Sequence, residues 1–285
     1  MTMAALTTPQ RPAARAVPAP ARRPGLVDVT GSEFIKIRSV RSTYFTLIAF
    51  ILAGIGFSVL FAAGQVSHWG NSQSGIGFNA TTPTLIGVVM LGELIIVVLG
   101  ALTITSEYGT GMISTSLTVM PRRVVLLAAK AIVFTAVMLA VSLPTSFAAY
   151  FAGQAIFATK HASTTLSDPN VLRAVLLAGL VVPLFGLLAL GLGAIIRHTA
   201  GAITSLLGLI FLLPLLAQAL PNSWYQAIAR WLPGGEALHP IITTGQSGQA
   251  YSSYLFGAWG EFAVIAGWAA AALILGGWLL YRRDA

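Results

Sequence analysis

The sequence predicts an all-α integral membrane protein with six membrane-spanning helices, and three observations carry this prediction. Of the 285 residues, 56% are hydrophobic and 8% are charged, whereas soluble domains carry about 25% charged residues. The apolar residues form continuous runs long enough to cross about 30 Å of hydrocarbon, which takes about 20 helical residues. A membrane β-barrel would instead show short segments of alternating hydrophobicity.

The N-terminal region differs in composition from the rest of the chain. Residues 1–25 are rich in Ala, Pro and Arg, and they lack the apolar core of a secretory signal. Low hydrophobicity of this kind is typical of disordered chain. We therefore expect a disordered, basic, cytosolic tail over 1–25, followed by one membrane domain over 26–285.

The segment DVTGSEFIKIRSVRSTYF precedes the first apolar run and mixes apolar with basic side chains. It predicts an interfacial helix whose apolar residues enter the headgroup boundary while its cations face anionic lipid. A simple basic flank to the first span is the alternative. The residues concerned are Phe34, Ile35, Ile37, Lys36, Arg38 and Arg41.

Six spans are predicted at 43–64, 84–105, 124–152, 171–196, 199–220 and 259–281. With the N-terminus inside, thirteen Lys and Arg residues lie on the cytoplasmic side, and three lie outside: Lys160, Arg173 and Arg230. Because Lys and Arg placement sets topology, both termini are expected in the cytoplasm. The basic residues behind the net charge of +8 are then explained by membrane anchoring, and we expect no nucleic-acid partner. Lys130, early in span three, is expected to snorkel to the inner face.

A polar segment, TSEYGTGMISTSLTVMPRR, links spans two and three on the cytoplasmic side of this topology. Gly109 and Gly111 are expected to redirect the backbone as span two leaves the membrane. The pattern over Met112–Met120 predicts a short helix that Pro121 ends. A plain connection would need fewer residues, so the segment is suitable for docking of a soluble partner. An ordinary interfacial loop is equally compatible with the pattern.

The stretch SEYGTGMISTSLTVMPRR, followed by a long span with an early lysine, resembles the cytoplasmic loop of ABC-2-type transporter permeases. These are the membrane subunits of type V ABC exporters, and the actinobacterial six-span group is the most similar. The resemblance covers about residues 26–283. It includes the number of spans, the basic "elbow" helix before span one, and WLPGGEALHPI in the long outer loop. Met112 stands where many members have threonine.

The resemblance implies a coupling helix that a separate cytosolic ABC ATPase subunit contacts. Two permease copies would enclose the path of an amphipathic or hydrophobic substrate in a bacterial cell membrane, as a homodimer or with a paralogous partner. The residues that the resemblance assigns to the ATPase contact are Glu107, Tyr108, Gly109, Thr110, Gly111, Met112, Ser114 and Leu117.

The sequence lacks the motifs of the enzyme classes that we considered. It contains no phosphate-binding G-x-x-x-x-G-K-[ST] loop, no H-E-x-x-H and no G-x-S-x-G, and it has no cysteine. We therefore expect a non-catalytic subunit without a cofactor or metal of its own. ATP and Mg²⁺ would bind to the partner ATPase.

Glu93 lies about halfway along span two in VVMLGELIIVVLG. Ionisable side chains inside a membrane are costly and mark functional sites by default. A protonated carboxyl, a hydrogen bond to a hydroxyl, and a position at a pathway or dimer interface are all compatible with it. A secondary transporter with Glu93 as its proton site is therefore an alternative function, and a non-transporting membrane scaffold or sensor is another.

The outer loop over 221–258 carries aromatic residues at helical spacing, which predicts a helix at the outer interface. Pro233 would end this helix. The resemblance implies that such helices cap the translocation path, whereas a loop resting on the membrane is the alternative. The outer-gate candidates are Trp224, Trp231 and Pro233.

Overall fold

The computed structural model describes residues 25–68, 80–112, 123–217, 219–221, 224, 231–233 and 257–282. Within these ranges the chain is α-helical and contains no strand, and six helices are long and apolar enough to cross a membrane. The predicted fold class, an all-α membrane protein with six spans, is confirmed. The expected N-terminal tail, apart from Gly25, lies outside the described residues.

The helices follow the predicted spans closely. In chain order they are α1 Leu26–Ser39, α2 Arg41–Ser67, α3 Thr81–Gly109, α4 Arg123–Ala158, α5 Val171–Ile196, α6 Thr199–Ala217 and α7 Gly257–Arg282. Helices α2 to α7 are the six spans. The range of α5 coincides with the predicted 171–196, and the largest difference is at the end of α4, which continues to Ala158.

Helix α5 is the most buried of the six spans, and it packs against α3, α4, α6 and α7. Small residues permit these contacts, because in lipid they let helix backbones approach each other closely. A Cβ atom added at Gly100 of α3 would collide with the backbone of Gly186 on α5, and one added at Gly191 would collide with Ala272 on α7. The glycines of α5 therefore allow close packing against α3 and α7.

Helix α6 contains a π-helical segment, Gly208–Leu212, which ends two residues before Pro214. Proline has no N–H to donate, and π turns of this kind occur as single wide turns inside α-helices. A Cβ added at Gly208 would meet open space among the described residues.

The helix predicted before span one is present as α1. Asp28 stabilises its start by accepting a hydrogen bond from the Gly25 N–H at 2.8 Å. Val29 packs against Leu126 and Ala129 of α4. Helix α1 ends at Ser39, and Val40, in an extended conformation, turns the chain into α2.

Both ends of the described chain lie at the same end of the helix bundle. The Arg123 side chain, at the start of α4, donates a hydrogen bond from Nη1 to the Leu280 carbonyl near the end of α7, at 2.9 Å. Glu107, near the end of α3, contacts Lys36 of α1. We call this end, with α1, the Glu107 end, and the opposite end the Trp231 end.

Candidate functional site

Glu107 lies in the last turn of α3 and is 6% exposed. The expectation that residues 107–109 already belong to the connection is wrong, because α3 continues to Gly109. The backbone turns at Gly111 instead, whose φ is +70°. The Thr110 and Gly111 N–H groups donate to the Ser106 and Tyr108 carbonyls at 3.1 and 3.3 Å and close the helix end.

Glu107 belongs to a group of four charged side chains from three helices, which we call the charge cluster: Glu33, Lys36, Glu107 and Lys130. Lys130 Nζ lies 2.6 Å from Glu33 Oε2 and 2.6 Å from Glu107 Oε1. Lys36 Nζ lies 2.7 Å from Glu33 Oε1 and 3.1 Å from Glu107 Oε1. Each lysine thus bridges both glutamates, and the four groups form a closed ring of alternating charge.

The charge cluster is electrically balanced and mostly shielded from solvent. The Lys130 side chain is 2% exposed, whereas that of Lys36 is 37% exposed. Buried ion pairs add little net stability compared with apolar residues of similar volume, yet removing one partner costs about 3–5 kcal/mol because the other charge remains buried. The cluster therefore specifies the relative positions of α1, α3 and α4.

The ionisation of Lys36 strengthens this arrangement. Burial alone lowers the pKa of Lys36, but the hydrogen bond to Glu33 and the negative charges of Glu107 and Glu33 outweigh it and leave the pKa raised. A raised folded-state pKa stabilises the fold fully below the unfolded-state value, and this contribution is lost only as the pH rises through the folded value. Lys36 therefore stays protonated through the neutral range.

Two expectations for the lysines are wrong. Lys36 points toward the glutamates and not toward lipid, and the exposed side of α1 carries Val27, Phe34 and Ile35. Lys130 does not snorkel to a surface, because its ammonium group is buried between two carboxylates. Both differences have the same cause: buried carboxylates need cationic partners.

Tyr108 fixes the other side of the same helical turn. Its ring lies beneath the guanidinium of Arg197, with 5.3 Å from Cζ to the ring centroid. Arg197 ends α5 in a left-handed conformation with φ +60°. The Thr199 hydroxyl donates to the Thr105 hydroxyl at 2.8 Å. The end of α3 is therefore held to the turn between α5 and α6 as well as to α1 and α4.

The remaining predicted coupling residues are only partly described. Thr110 and Gly111 are exposed, and Met112 is 50% exposed, so the connection leaves the bundle toward solvent at this point. Ser114 and Leu117, and with them most of the helix predicted over Met112–Met120, lie outside the described residues.

Glu93 lies in the middle of α3 and is 3% exposed. Its neighbours one turn away on the same face, Val89 and Val97, pack against residues of α5 such as Val175 and Val181. Its Oε1 atom has no hydrogen-bond partner among the described residues. Glu93 therefore faces the helix bundle and not the surrounding lipid.

The outer-gate candidates lie at the Trp231 end. The Trp268 indole donates a hydrogen bond to the Trp231 carbonyl at 2.7 Å, and both rings border an apolar groove of about 570 Å³ along small residues of α7. Pro233 is buried and Trp224 is exposed. Most of the helix predicted between Trp224 and Pro233 lies outside the described residues.

Glu33 and the pairing of Lys130 were missed by sequence reasoning. The sequence does contain a signal for this pairing. The chain has only eight acidic residues, and two of these, Glu33 and Glu107, lie within or beside apolar, basic segments at the predicted cytoplasmic face. Glu33 and Lys36 also have the i, i+3 spacing of a helical ion pair. Among the described residues, no three His, Asp or Glu side chains are grouped closely enough to hold a metal ion.

No protein-family model matches the chain, and no curated protein matches it. The six apolar helices make it a multi-pass membrane protein. A more specific function has to be argued from the geometry of the Glu107 end.

Proposed function

We propose that this protein is the permease subunit of an ATP-driven exporter of the ABC-2 type, and that a cytosolic ABC ATPase binds the connection that follows α3. The observation that supports the proposal is the construction of the end of α3. Ionic contacts to α1 and α4 and the Tyr108–Arg197 contact fix its last turn. Immediately afterwards the chain turns at Gly111, and Thr110, Gly111 and Met112 are exposed.

This construction suits the transmission of force. Helix α3 packs along α2 and α5, so a push on the exposed connection would move α3 together with the most buried span. ATP-driven approach of two ATPase subunits would supply the push and move an amphipathic or hydrophobic substrate outward. The permease itself carries out no bond chemistry, because ATP and Mg²⁺ are bound by the ATPase.

The orientation follows from the basic residues. Those at the Glu107 end are Lys36, Arg38, Arg41, Arg123, Lys130, Arg197 and Arg282, and those at the Trp231 end are Lys160 and Arg173, among the described part of the chain. By the positive-inside rule the Glu107 end faces the cytosol of a bacterial cell, together with both termini. A second permease copy, identical or paralogous, would pack on the poorly buried spans α2 and α6.

The proposal is tested by isolating the tagged chain from its native membranes in mild detergent. We expect an ATPase with a phosphate-binding loop to co-purify. Met112→Arg should reduce the recovered ATPase about tenfold, because it places a charge on the exposed connection. Ser39→Arg, also exposed at the Glu107 end but outside the connection, should not. Recovery of the folded chain without any ATPase would contradict the proposal.

A secondary transporter is the second candidate. It is favoured by the Oε1 atom of Glu93, which is buried and has no hydrogen-bond partner in the part of the chain that the structure describes. Glu93→Gln keeps the size of the side chain but removes its proton. If the exporter proposal holds, this variant retains ATPase recovery and ATP-dependent transport. Transport that persists without the ATPase, requires a proton gradient and disappears in Glu93→Gln would establish the second candidate instead.

A further inference from the structure

We infer that α1 is part of the apparatus that couples the ATPase to the membrane helices. The charge cluster joins α1, the end of α3 and the start of α4 into one rigid unit. In this unit Glu33, Lys36 and Lys130 are positioning residues for the connection after α3. The coupling role rests on the proposed function, because it requires an ATPase partner. The existence of the rigid unit depends only on the structure.

The connectivity of the charge cluster supports this unit. Helix α1 supplies one carboxylate and one ammonium group, α3 supplies Glu107, and α4 supplies Lys130. Glu107 Oε1 accepts from both lysines, and each oxygen of Glu33 accepts from a different lysine. Helix α1 cannot shift relative to α3 without breaking charged hydrogen bonds, which are about twice as strong as neutral ones.

The position of the charge cluster relates it to the connection. Glu107 precedes Gly111, where the backbone turns, by four residues, a helical rise of about 6 Å. The buried Val29 adds an apolar contact between α1 and α4. A displacement of the connection would therefore reach α1, which lies outside the six spans, through contacts about one helical turn away from Gly111.

The outer side of α1 indicates what resists this displacement. Val27, Phe34 and Ile35 are exposed there, and Arg38 and Arg41 are also exposed. Exposed apolar residues beside cations favour insertion into the boundary of an anionic leaflet. Helix α1 then acts as the support, at the membrane surface, against which the end of α3 moves.

The test separates α1 from the charge cluster while leaving a balanced pair. In Glu33→Leu/Lys36→Met the net charge is unchanged, and Glu107 keeps Lys130 at 2.6 Å. Replacement of buried ionic groups by apolar residues of similar volume is often neutral for stability. We therefore expect this variant to fold, which allows coupling and stability to be measured separately. Ser39→Ala, on α1 but outside the cluster, is the control.

The structural readout is a distance between two spin labels. The chain has no cysteine, so Ser32→Cys on α1 and Thr110→Cys after α3, both exposed, can be labelled alone. We expect a narrow distance distribution in the parent and in Ser39→Ala, and a broad one in Glu33→Leu/Lys36→Met. A distribution that stays narrow in the double variant overturns the rigid unit.

The functional readout is ATP turnover and transport by the complex purified with its ATPase. We expect the double variant to retain the ATPase but to lose transport per ATP hydrolysed by about tenfold, within the usual range of coupling between sites. Unchanged transport per ATP, with the ATPase bound, overturns the role of α1. Absence of any ATPase from the parent complex contradicts the proposed function, whereas the spin-label distances still decide the rigid unit.

If the double variant fails to fold, Lys36→Met alone replaces it. Lys130 then still bridges Glu33 and Glu107, so the fold is retained while one of the two links from α1 is removed. A partial broadening of the label distance and a smaller loss of coupling are expected. A narrow distance together with full coupling in this variant would again overturn the inference.

Discussion

At the scale of single residues, the two lysines of the charge cluster make the same contacts in different surroundings. Both bridge Glu33 and Glu107, but Lys130 is 2% exposed and Lys36 is 37% exposed. Water can solvate the carboxylates near Lys36 if that ammonium group is removed, and such partly exposed pairs contribute little. Water cannot replace the ammonium group of Lys130 in this way, because that side chain is buried.

Lys130→Met should therefore destabilise the protein much more than Lys36→Met. We expect a loss of about 3–5 kcal/mol for the first substitution, because it leaves two buried carboxylates with a single partner. For the second we expect about 1 kcal/mol or less. The measurement is equilibrium unfolding in detergent. Methionine is the matched replacement in both cases because it retains most of the side-chain volume of lysine. Equal losses would show that the two lysines are equally shielded.

The charge cluster shows where sequence reasoning stops at this scale. Glu33 and Lys130 are separated by 97 positions, and Glu107 and Lys130 by 23. Composition and spacing predict that Glu107 lies at the end of a span, but they contain no information on which distant cation approaches it. The prediction that Glu107 lies in the connection is wrong because α3 continues to Gly109, and the cations that pair with Glu107 come from α1 and α4.

At the scale of helices, the predictions were successful for a physical reason. In hydrocarbon every backbone N–H and C=O must be satisfied within the segment, so each long apolar run has to be helical along its whole length. The bounds of α5 follow directly from this requirement. The π-helical segment of α6 does not, because its backbone hydrogen bonds depend on local geometry around Pro214.

The packing around Gly186 of α5 provides a prediction at the scale of helices. A Cβ added at Gly186 would collide with the ring of Phe134 and approach Ile96 at 2.9 Å, whereas one added at Gly208 would meet open space. Gly186→Ala should therefore cost about 1–3 kcal/mol, the usual cost of overpacking a core. Gly208→Ala should be neutral or slightly stabilising, since alanine favours helix over glycine.

Thermal unfolding of both glycine variants in the same detergent tests this prediction, with size-exclusion profiles to confirm that each remains monodisperse. An equal shift of Tm in the two variants would mean that helix propensity, and not the packing of Gly186 against Phe134 of α4 and Ile96 of α3, determines the effect. A loss confined to Gly186→Ala would identify the surroundings of Gly186 as a tightly packed point of the bundle.

At the scale of the whole molecule, charge is distributed unequally between the two ends of the bundle. The Glu107 end carries the charge cluster, α1 and most of the described basic residues. The Trp231 end carries the Trp231–Trp268 hydrogen bond and the apolar groove. Lys and Arg residues set membrane orientation, so this distribution predicts which end is accessible from outside the cell.

The absence of cysteine from the chain makes this orientation directly measurable. Ser39, the last residue of α1, and Ser167, between α4 and α5, are exposed at opposite ends, and each is replaced singly by cysteine. A membrane-impermeant maleimide added to intact spheroplasts should label Ser167→Cys and leave Ser39→Cys unlabelled, and permeabilisation should expose both. The reverse pattern would place Gly111 and Met112 outside the cell, where no cytosolic ATPase reaches them. The exporter proposal would then fail, while the helix packing and the charge cluster would be unaffected.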